Sequence, residues 1–449
     1  MIVLFSKKDL RRLLIPLIIE QILAVLVGMA DVVMVSAVGE AAVSGVSLVD
    51  SISTLIIQLL AALSTGGAVV CSQYLGKKDP KNASVAANQL LLSTFLLSVF
   101  IMIVALVGNR SLLALIFGSI EADVMSNAQT YFFLSAVSYP FLAIYDACAA
   151  LYRSMGNSKV SMNTSLCMNA INVVGNALCV YGLHMGVAGV GIPTVVSRAT
   201  AGIIMLVIVR NPDHLIHVDR RLRLGFHPQM IRNILRIGVP AGMENSMFQL
   251  GKILVQSLVS SLGTASIAGF AVANNLVQFE YLPGTAIGLG MVTVIGQCVG
   301  AGEHAQARQY TNYLLKVNYG ILAVLAVLLT ALSTPLVGIY NLSPEASSIA
   351  VALIVVHSFA MIIWPVAFAL PNALRAASDV KFTMVTAVFS MWAFRIGLSY
   401  VLVLGFHLGV MGVWIAMFAD WGFRAVLFFI RYRSGRWLPQ RPQKQAVGQ

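Results

Sequence analysis

Apolar stretches of roughly 20 residues or more, each long enough to cross a bilayer core of about 30 Å, follow one another along almost the whole chain and constrain its fold more than any other feature. Inside hydrocarbon no water satisfies the backbone, so only helices or a closed β-barrel can span it. Runs such as QLLLSTFLLSVFIMIVALVG are continuously apolar and lack the two-residue alternation of a barrel strand. Helices therefore carry the fold. Of the 449 residues, 58% are hydrophobic and 10% charged, against about 25% charged in an ordinary globular domain. A soluble enzyme would need more polar surface than this.

The pattern predicts an all-α integral membrane protein with twelve transmembrane helices near 13–37, 46–73, 88–108, 130–152, 160–182, 188–209, 233–261, 272–299, 311–333, 348–371, 382–404 and 410–430. Twelve crossings put both termini on one side. The formal net charge of +12 raises the possibility of nucleic-acid binding, but the basic residues lie at helix ends. Arg110 alone falls on the second side, and Arg198, Lys252, Arg395 and Arg424 fall within the membrane. The excess of Lys and Arg elsewhere makes both termini cytoplasmic in a multi-pass plasma-membrane protein, with the lipid bilayer and no nucleic acid as its surroundings. Lys7, Lys8, Arg11 and Arg12 precede a stretch longer than a signal h-region, which is expected to stay as the first helix. The five cysteines, Cys71, Cys148, Cys167, Cys179 and Cys298, sit in apolar stretches without C-x-x-C or zinc spacing and read as buried thiols.

The chain also repeats itself. Pro16/Pro240, Glu20/Glu244, Gly39/Gly263, Gly45/Gly269, Gly66/Gly290, Gln73/Gln297, Gly76/Gly300, Ala83/Ala307 and Asn88/Asn312 all recur at an offset of 224. The offset becomes 222 for Arg153/Arg375, Lys159/Lys381, Met162/Met384 and Gly175/Gly397, and 223 for His184/His407, Gly186/Gly409 and Gly189/Gly412. Slips of one or two residues belong in loops. The expected organisation is an N-terminal six-helix lobe over 1–210, a cytoplasmic linker over 211–232 containing Arg220, Arg221 and Arg223, a C-terminal six-helix lobe over 233–432 and a cytoplasmic tail over 433–449. Because six is even, both lobes enter from the same side, so the two bundles are pseudo-symmetric as a parallel repeat about the membrane normal, the arrangement transporters use for a central site and alternating access.

Ionisable groups in a bilayer are costly unless paired or wetted, so each is a functional-site candidate. Seven acids qualify: Glu20, Asp31, Asp50, Asp146, Glu244, Glu280 and Asp420. Asp31, in VGMADVVMVSAVG, has no basic residue at i±3 or i±4. A lone carboxylate in a low dielectric is relieved by taking up a proton or Na⁺, or by a structural hydrogen bond from a neighbouring helix. Glu20 and Glu244 are repeat mates that either line a cavity open to the cytoplasm or pair with basic helix ends. In helix 7, Asn245, Gln249, Lys252 and Gln256 share one face, and in helix 5 so do Ser165, Asn169, Asn172 and Asn176. Their repeat positions are mostly apolar, so the halves divide the chemistry. These faces line water and substrate, or act as amide glue between helices. Asp420 and Arg424, at i and i+4, read as a self-neutralising pair. Arg198 and Arg395 need acids or carbonyls, with Asp146 and Glu280 as candidates, and His357 reads as a structural histidine, with a proton carrier as the alternative. Pro140, Pro193, Pro283 and Pro365 permit kinks. Tyr139, Trp364, Trp392 and Trp414 are available to stack on a flat organic cation or to anchor at the interface. No G-x-x-x-x-G-K-[ST] is present, so the energy would come from an ion gradient or a partner, with no cofactor implied.

The helix-1 run IPLIIEQILAVLVGMADVVMVSAVGEAAVSGVSLVD, SQYLGKKD, LYRSMGNSK, VPAGMENSMFQLGK and IGQCVGAGE together resemble the multidrug and toxic compound extrusion (MATE) family over essentially the whole chain. The resemblance implies two six-helix bundles forming a V, exporting small organic, often cationic, compounds against inward H⁺ or Na⁺. It makes Asp31 the cation-coupling carboxylate, a ligand to Na⁺ where Na⁺ is the coupling ion, Asn172 a helix-5 partner and Thr194 a helix-6 partner. Asn176 stands where many members have a second aspartate, and Phe248 where some have a further acid. One carboxylate implies one coupling ion. The substrate cavity would then draw on Glu20, Glu244, Asn245, Gln249, Lys252, Gln256, Asn169 and Glu280. A monomer is expected. The alternatives are a lipid-linked sugar flippase, which needs a basic cavity and has Lys252, Arg198 and Arg395 to build it, and a non-transporting membrane scaffold or sensor.

Overall fold

The computed structural model describes residues 4–118, 120–218 and 225–439; Arg220, Arg221, Arg223 and the end of the tail lie outside the described residues. Helices make up the structure, with no strand among the described residues. They are α1 (Lys7–Ser36), α2 (Glu40–Gly76), α3 (Pro80–Val107), α4 (Asn109–Phe117), α5 (Ala122–Ser154), α6 (Ser158–Gly182), α7 (Ala188–Val209), α8 (Pro228–Ser260), α9 (Thr264–Gly300), α10 (His304–Gly338), α11 (Pro344–Ala360), α12 (Pro365–Ala376), α13 (Val380–Gly405) and α14 (Gly409–Arg433).

Among the described residues, ten helices are long and apolar enough to cross a bilayer, and α11 with α12 makes one further crossing, bent by 70°. The twelfth rod is α8, whose 33 residues suffice in length, at about 1.5 Å per residue; its polar face lowers its apolarity below that of the others. The bend falls where Pro365 opens α12, since a ring in place of N–H removes one helical bond and clashes with the preceding turn. Pro140, Pro193 and Pro283 sit inside unbroken helices. One helix was not anticipated: nine-residue α4, which lies in an expected loop and anchors itself by burying Leu113.

The sequence repeat is also a repeat of backbone conformation. Left-handed residues occur at Gly39 and Gly263, Lys78 and Gly302, Gly156 and Ser378, His184 and His407, and Gly186 and Gly409. Each pair is a pair of repeat mates, so both halves turn their loops in the same way, even where one half pays the steric cost of a side chain at positive φ. The repeat mates α2 and α9 both have 37 residues, about 55 Å at 1.5 Å per residue. Both exceed a bilayer core. At their ends the packing is reciprocal: a Cβ on Gly76 would strike the Gln297 carbonyl, and a Cβ on Gly300 would strike the Gln73 carbonyl.

The chain forms two compact units. The first, here the N-unit, comprises Lys7–Cys71 and Pro80–Ser246; the second, the C-unit, comprises Ser72–Asp79 and the chain from Met247 on, with the residues before Lys7. In the N-unit α5 is the central rod, packed on α3, α6 and α7. Ala147, Cys148, Ala149 and Ala150 on it are fully enclosed, and Gly202 of α7 lies so close that a Cβ would approach the Phe141 carbonyl to 2.7 Å. Small residues replace the hydrophobic effect as the means of bringing helices together in lipid. In the C-unit α9 has the same role, packed on α10, α11 and α12, with Ala286, Ile287, Met291, Val294 and Ile295 enclosed.

Candidate functional site

Helix α6 is amphipathic in reverse. Its buried residues include Ser158, Ser161, Thr164, Ser165, Asn169, Asn172 and Asn176, whereas Leu166 and Val174 are 51% and 67% exposed. A membrane helix places its apolar side in lipid and turns its amides inward, and α6 packs that inner side on α1 and α7. There the Asn176 amide nitrogen donates to Asp31 Oδ1 at 2.8 Å and faces Asn172 Oδ1 at 3.3 Å. The Asn172 amide donates to Thr194 Oγ1 at 3.1 Å, and the Thr194 hydroxyl donates to the Val190 carbonyl at 2.9 Å. The remaining oxygen of Asn176 is buried with no hydrogen-bond partner.

This chain of amides runs beside a cavity of about 310 Å³ within the N-unit, lined among others by Asp31, Asp50, Tyr131, Asn169, Thr194 and Arg198. Asp50 of α2 was one of the seven candidate acids and Arg198 of α7 a candidate cavity base, but neither was assigned to the Asp31 site, and Tyr131 of α5 was not expected at all. Their only sequence signal was being ionisable or polar inside apolar stretches, because three separate helices bring them together. Tyr131 is engaged with Asp50, and Arg198 acts electrostatically on both aspartates. Arg198 also donates to Ser138 Oγ at 2.7 Å. Two carboxylates thus face one guanidinium, which leaves the cavity acidic by one charge when all three are ionised. Asn169, expected in a substrate cavity, lines this same space and lies 3.5 Å from Ser165. Among the described residues no group of three or more His, Cys, Asp and Glu is placed to hold a metal, so an ion at Asp31 would draw on Asn and Thr oxygens.

Glu20 is elsewhere in the N-unit, in a closed polar network. It accepts from the Tyr145 hydroxyl at 3.1 Å and the Ser161 hydroxyl at 3.0 Å, with Arg153 at 3.8 Å. This is the basic-end pairing, with its acceptors filled. Its repeat mate Glu244 is half-buried on α8, where Asn245 donates to Gln58 at 3.4 Å.

The polar face of α8 divides between the units: Asn245 belongs to the first, and Gln249, Lys252 and Gln256 to the second. In the C-unit Lys252 and Gln256 are exposed and Gln249 is half-buried. Lys252 Nζ stands 5.0 Å from the Phe248 ring centroid. Glu280 meets His357 at 2.7 Å with both side chains buried, and Trp414 and Trp421 cover the imidazole edge-on at 5.2 and 5.4 Å. His357 therefore has a partner, and Glu280 is not free to serve Arg395. Arg395 instead reaches Asp420 at 3.6 Å, while Arg424 Nε meets the same carboxylate at 2.7 Å and the Ser390 hydroxyl also bonds it. The expected two-residue pair on α14 is in fact one carboxylate shared by two guanidiniums.

The family model MatE matches residues 16–178 and again 240–401, one match per repeat. Among curated relatives, the chain is 28% identical to "Uncharacterized transporter YisQ" of Bacillus subtilis, over 94% of this chain and 93% of that one. It is 26% identical to "Probable multidrug resistance protein NorM" of Thermotoga maritima, over 98% and 94%. Among solved structures it superposes on an outward-facing multidrug resistance MATE family transporter of the MOP superfamily with a TM-score of 0.90 at 19% identity, covering 96% of each chain. A MOP superfamily transporter from Pyrococcus furiosus, described as having a binding pocket of reverse polarity, superposes with a TM-score of 0.89 at 20% identity over 97% of each.

Proposed function

We propose, from the premise that this chain belongs to the MatE family of multi-pass membrane transporters, that it exports small organic compounds by alternating access in exchange for inward H⁺ or Na⁺ bound at Asp31. The observation that carries the reading is the Asp31–Asn176–Asn172–Thr194 chain at the wall of an internal cavity. A carboxylate held by a neutral amide, and not closed off by a cation of its own, has room to take a proton. The carboxylate, with the Asn172 amide oxygen and the Thr194 hydroxyl that line the same cavity, offers a hard, all-oxygen ligand set to Na⁺. The ion does work only through differential binding: it must favour one conformation of the carrier over the other, and the exported compound must favour the reverse.

Relatives that bear multidrug resistance names support organic, multidrug-type cargo, and the excess of acid over base in the N-unit cavity supports a cationic group on it. Plasma-membrane placement with both termini cytoplasmic follows from the Lys and Arg distribution, and a monomer suffices for this cycle.

The test is efflux of ethidium, a flat organic cation, from proteoliposomes under separately imposed Na⁺ and pH gradients. Wild type is expected to respond to one of the two gradients, and Asp31→Asn to neither. Undiminished gradient-driven efflux in Asp31→Asn would sink the assignment of the coupling site.

A further inference from the structure

We infer that Lys252, Arg395 and Arg424 form a second binding site, within the C-unit, for the anionic group of an organic compound, with the rings of Phe248 and Phe368 holding its apolar body.

All three cations gather around one ring. Lys252 Nζ, Arg395 Cζ and Arg424 Cζ lie 5.0, 5.3 and 5.7 Å from the Phe248 centroid, and Arg424 is also 5.6 Å from Phe368. A benzene ring has two faces to offer cations, so three like charges around it repel one another in a low dielectric. Asp420 is the only carboxylate paired with the cluster among the described residues, and two of the three cations share it. Glu280, a buried acid of the same unit, is engaged by His357. The balance is positive where a membrane helix bundle normally neutralises itself.

The unmet hydrogen bonds point the same way. Arg424 is 3% exposed, and its Nη2 is buried with no acceptor; Arg395 Nη1 faces Asp420 Oδ2 only at 3.6 Å, beyond hydrogen-bond distance. A buried guanidinium N–H without an acceptor is costly, and a carboxylate, sulfonate or phosphate supplies oxygens in the forked geometry that arginine matches. A purely structural tie between α13 and α14 would need Asp420 and Ser390 but not Lys252, which makes no ion pair among the described residues and is exposed. Exposure falls from Lys252 through half-buried Arg395 to buried Arg424, so Lys252 is the outermost member of the cluster. Arg395 is carried on a π-helical stretch, Met391–Leu398; an inserted residue of this kind re-aims side chains and recurs at functional sites.

The aromatic wall indicates what the anion is attached to. Tyr281 stacks on Trp364 at 6.0 Å and Trp364 on Phe368 at 5.3 Å, so the cations border a run of rings whose two ends, Tyr281 and Phe368, are half-buried and suited to a ring system or an acyl chain. An inorganic anion alone would use only half of the site.

The inference deepens the transport reading by giving part of the cargo a charge, and it rests on that reading only in treating the ligand as cargo. The experiment uses the full-length protein in phosphatidylcholine nanodiscs, with radiolabelled naphthalene-1-sulfonate and the matching naphthyl trimethylammonium compound as probes. Wild type is expected to bind the sulfonate, with affinity about 10-fold or more weaker in Lys252→Gln and Arg395→Gln, the scale of a hydrogen bond to a charged group, and restored in Lys252→Arg. Binding of the ammonium compound is not weakened by these changes. Lys252→Gln alters an accessible side chain and preserves a readout if Arg395→Gln fails to fold. Displacement by free phosphate assigns the site to a soluble anion, and displacement by phosphatidylglycerol in the disc to a lipid headgroup; both support an anion site. Sulfonate binding that is absent from wild type, or is unchanged in the two Gln variants, overturns it. Asp31→Asn is expected to bind the sulfonate like wild type, so failure of ion coupling and failure of the anion site are separable.

Discussion

The Asp31 carboxylate accepts a 2.8 Å hydrogen bond from the Asn176 amide, across 145 positions of sequence, while the other oxygen of that amide stays buried and unpartnered. The amide nitrogen orients the carboxylate, and the amide oxygen stays buried without a hydrogen bond of its own. Asn176→Ala removes both. A hydrogen bond to a charged group contributes about 1.5–3 kcal/mol, so gradient-driven ethidium efflux is expected to fall about 10-fold or more at matched protein levels. Thr194→Val, which removes the hydroxyl beyond Asn172, is expected to weaken coupling less. Equal efflux from Asn176→Ala and wild type would show that the amide has no part in coupling.

Glu20 offers the contrast, because its acceptors are already filled by Tyr145 and Ser161, with Arg153 nearby. Glu20→Gln keeps one acceptor oxygen and loses the charge. The expected cost is about 1–3 kcal/mol of stability, seen as a lower melting temperature in detergent, with efflux per folded molecule unchanged. Loss of efflux at full stability would move Glu20 into the transport pathway.

The buried Glu280–His357 pair is expected to behave as a structural unit. Removing one member of such a pair leaves the other uncompensated and costs about 3–5 kcal/mol, so His357→Leu should melt well below wild type. Glu280→Gln still accepts a hydrogen bond from the imidazole and should cost less. The double replacement Glu280→Met with His357→Phe should recover much of the loss, since well-packed apolar groups often replace a buried ion pair without penalty. A double-mutant cycle with no coupling between the two positions would contradict this.

Gly76 and Gly300 test the reciprocal packing of the repeat. A Cβ at either meets a backbone carbonyl that cannot swing aside, so Gly76→Ala and Gly300→Ala should each destabilise by about 1–3 kcal/mol or more. Gly320, inside α10, has open space where a Cβ would stand. Gly320→Ala should be neutral or stabilising by about 0.5–1 kcal/mol from helix propensity. Thermal melts of the three variants side by side decide the point.

Much of the architecture follows from local chemistry along the chain. Twenty-residue apolar runs in a medium without water admit only helices, and the 224-residue offset that pairs Gly76 with Gly300 and Gln73 with Gln297 already implies two equivalent bundles. The left-handed residues fall on the same repeat register because turn geometry is written in a few neighbouring positions. Asp31 and the asparagines of α6 were legible for a related reason: polar groups at helical spacing in an apolar run must face inward, whatever they face.

Which groups meet was not legible, because partner choice depends on how separate helices rotate and cross. Asp50, Tyr131 and Arg198 come from α2, α5 and α7 to one cavity. Arg395 goes to Asp420 and not to Glu280, which is taken by His357. Nothing in spacing distinguishes Glu20, closed in by hydroxyls, from Asp31, open to a cavity, on the same helix. Local periodicity decides which side of a helix avoids lipid. The energy that selects one partner over another is Coulombic and steric, acts over a few ångströms between residues far apart in sequence, and exists only once the helices are packed.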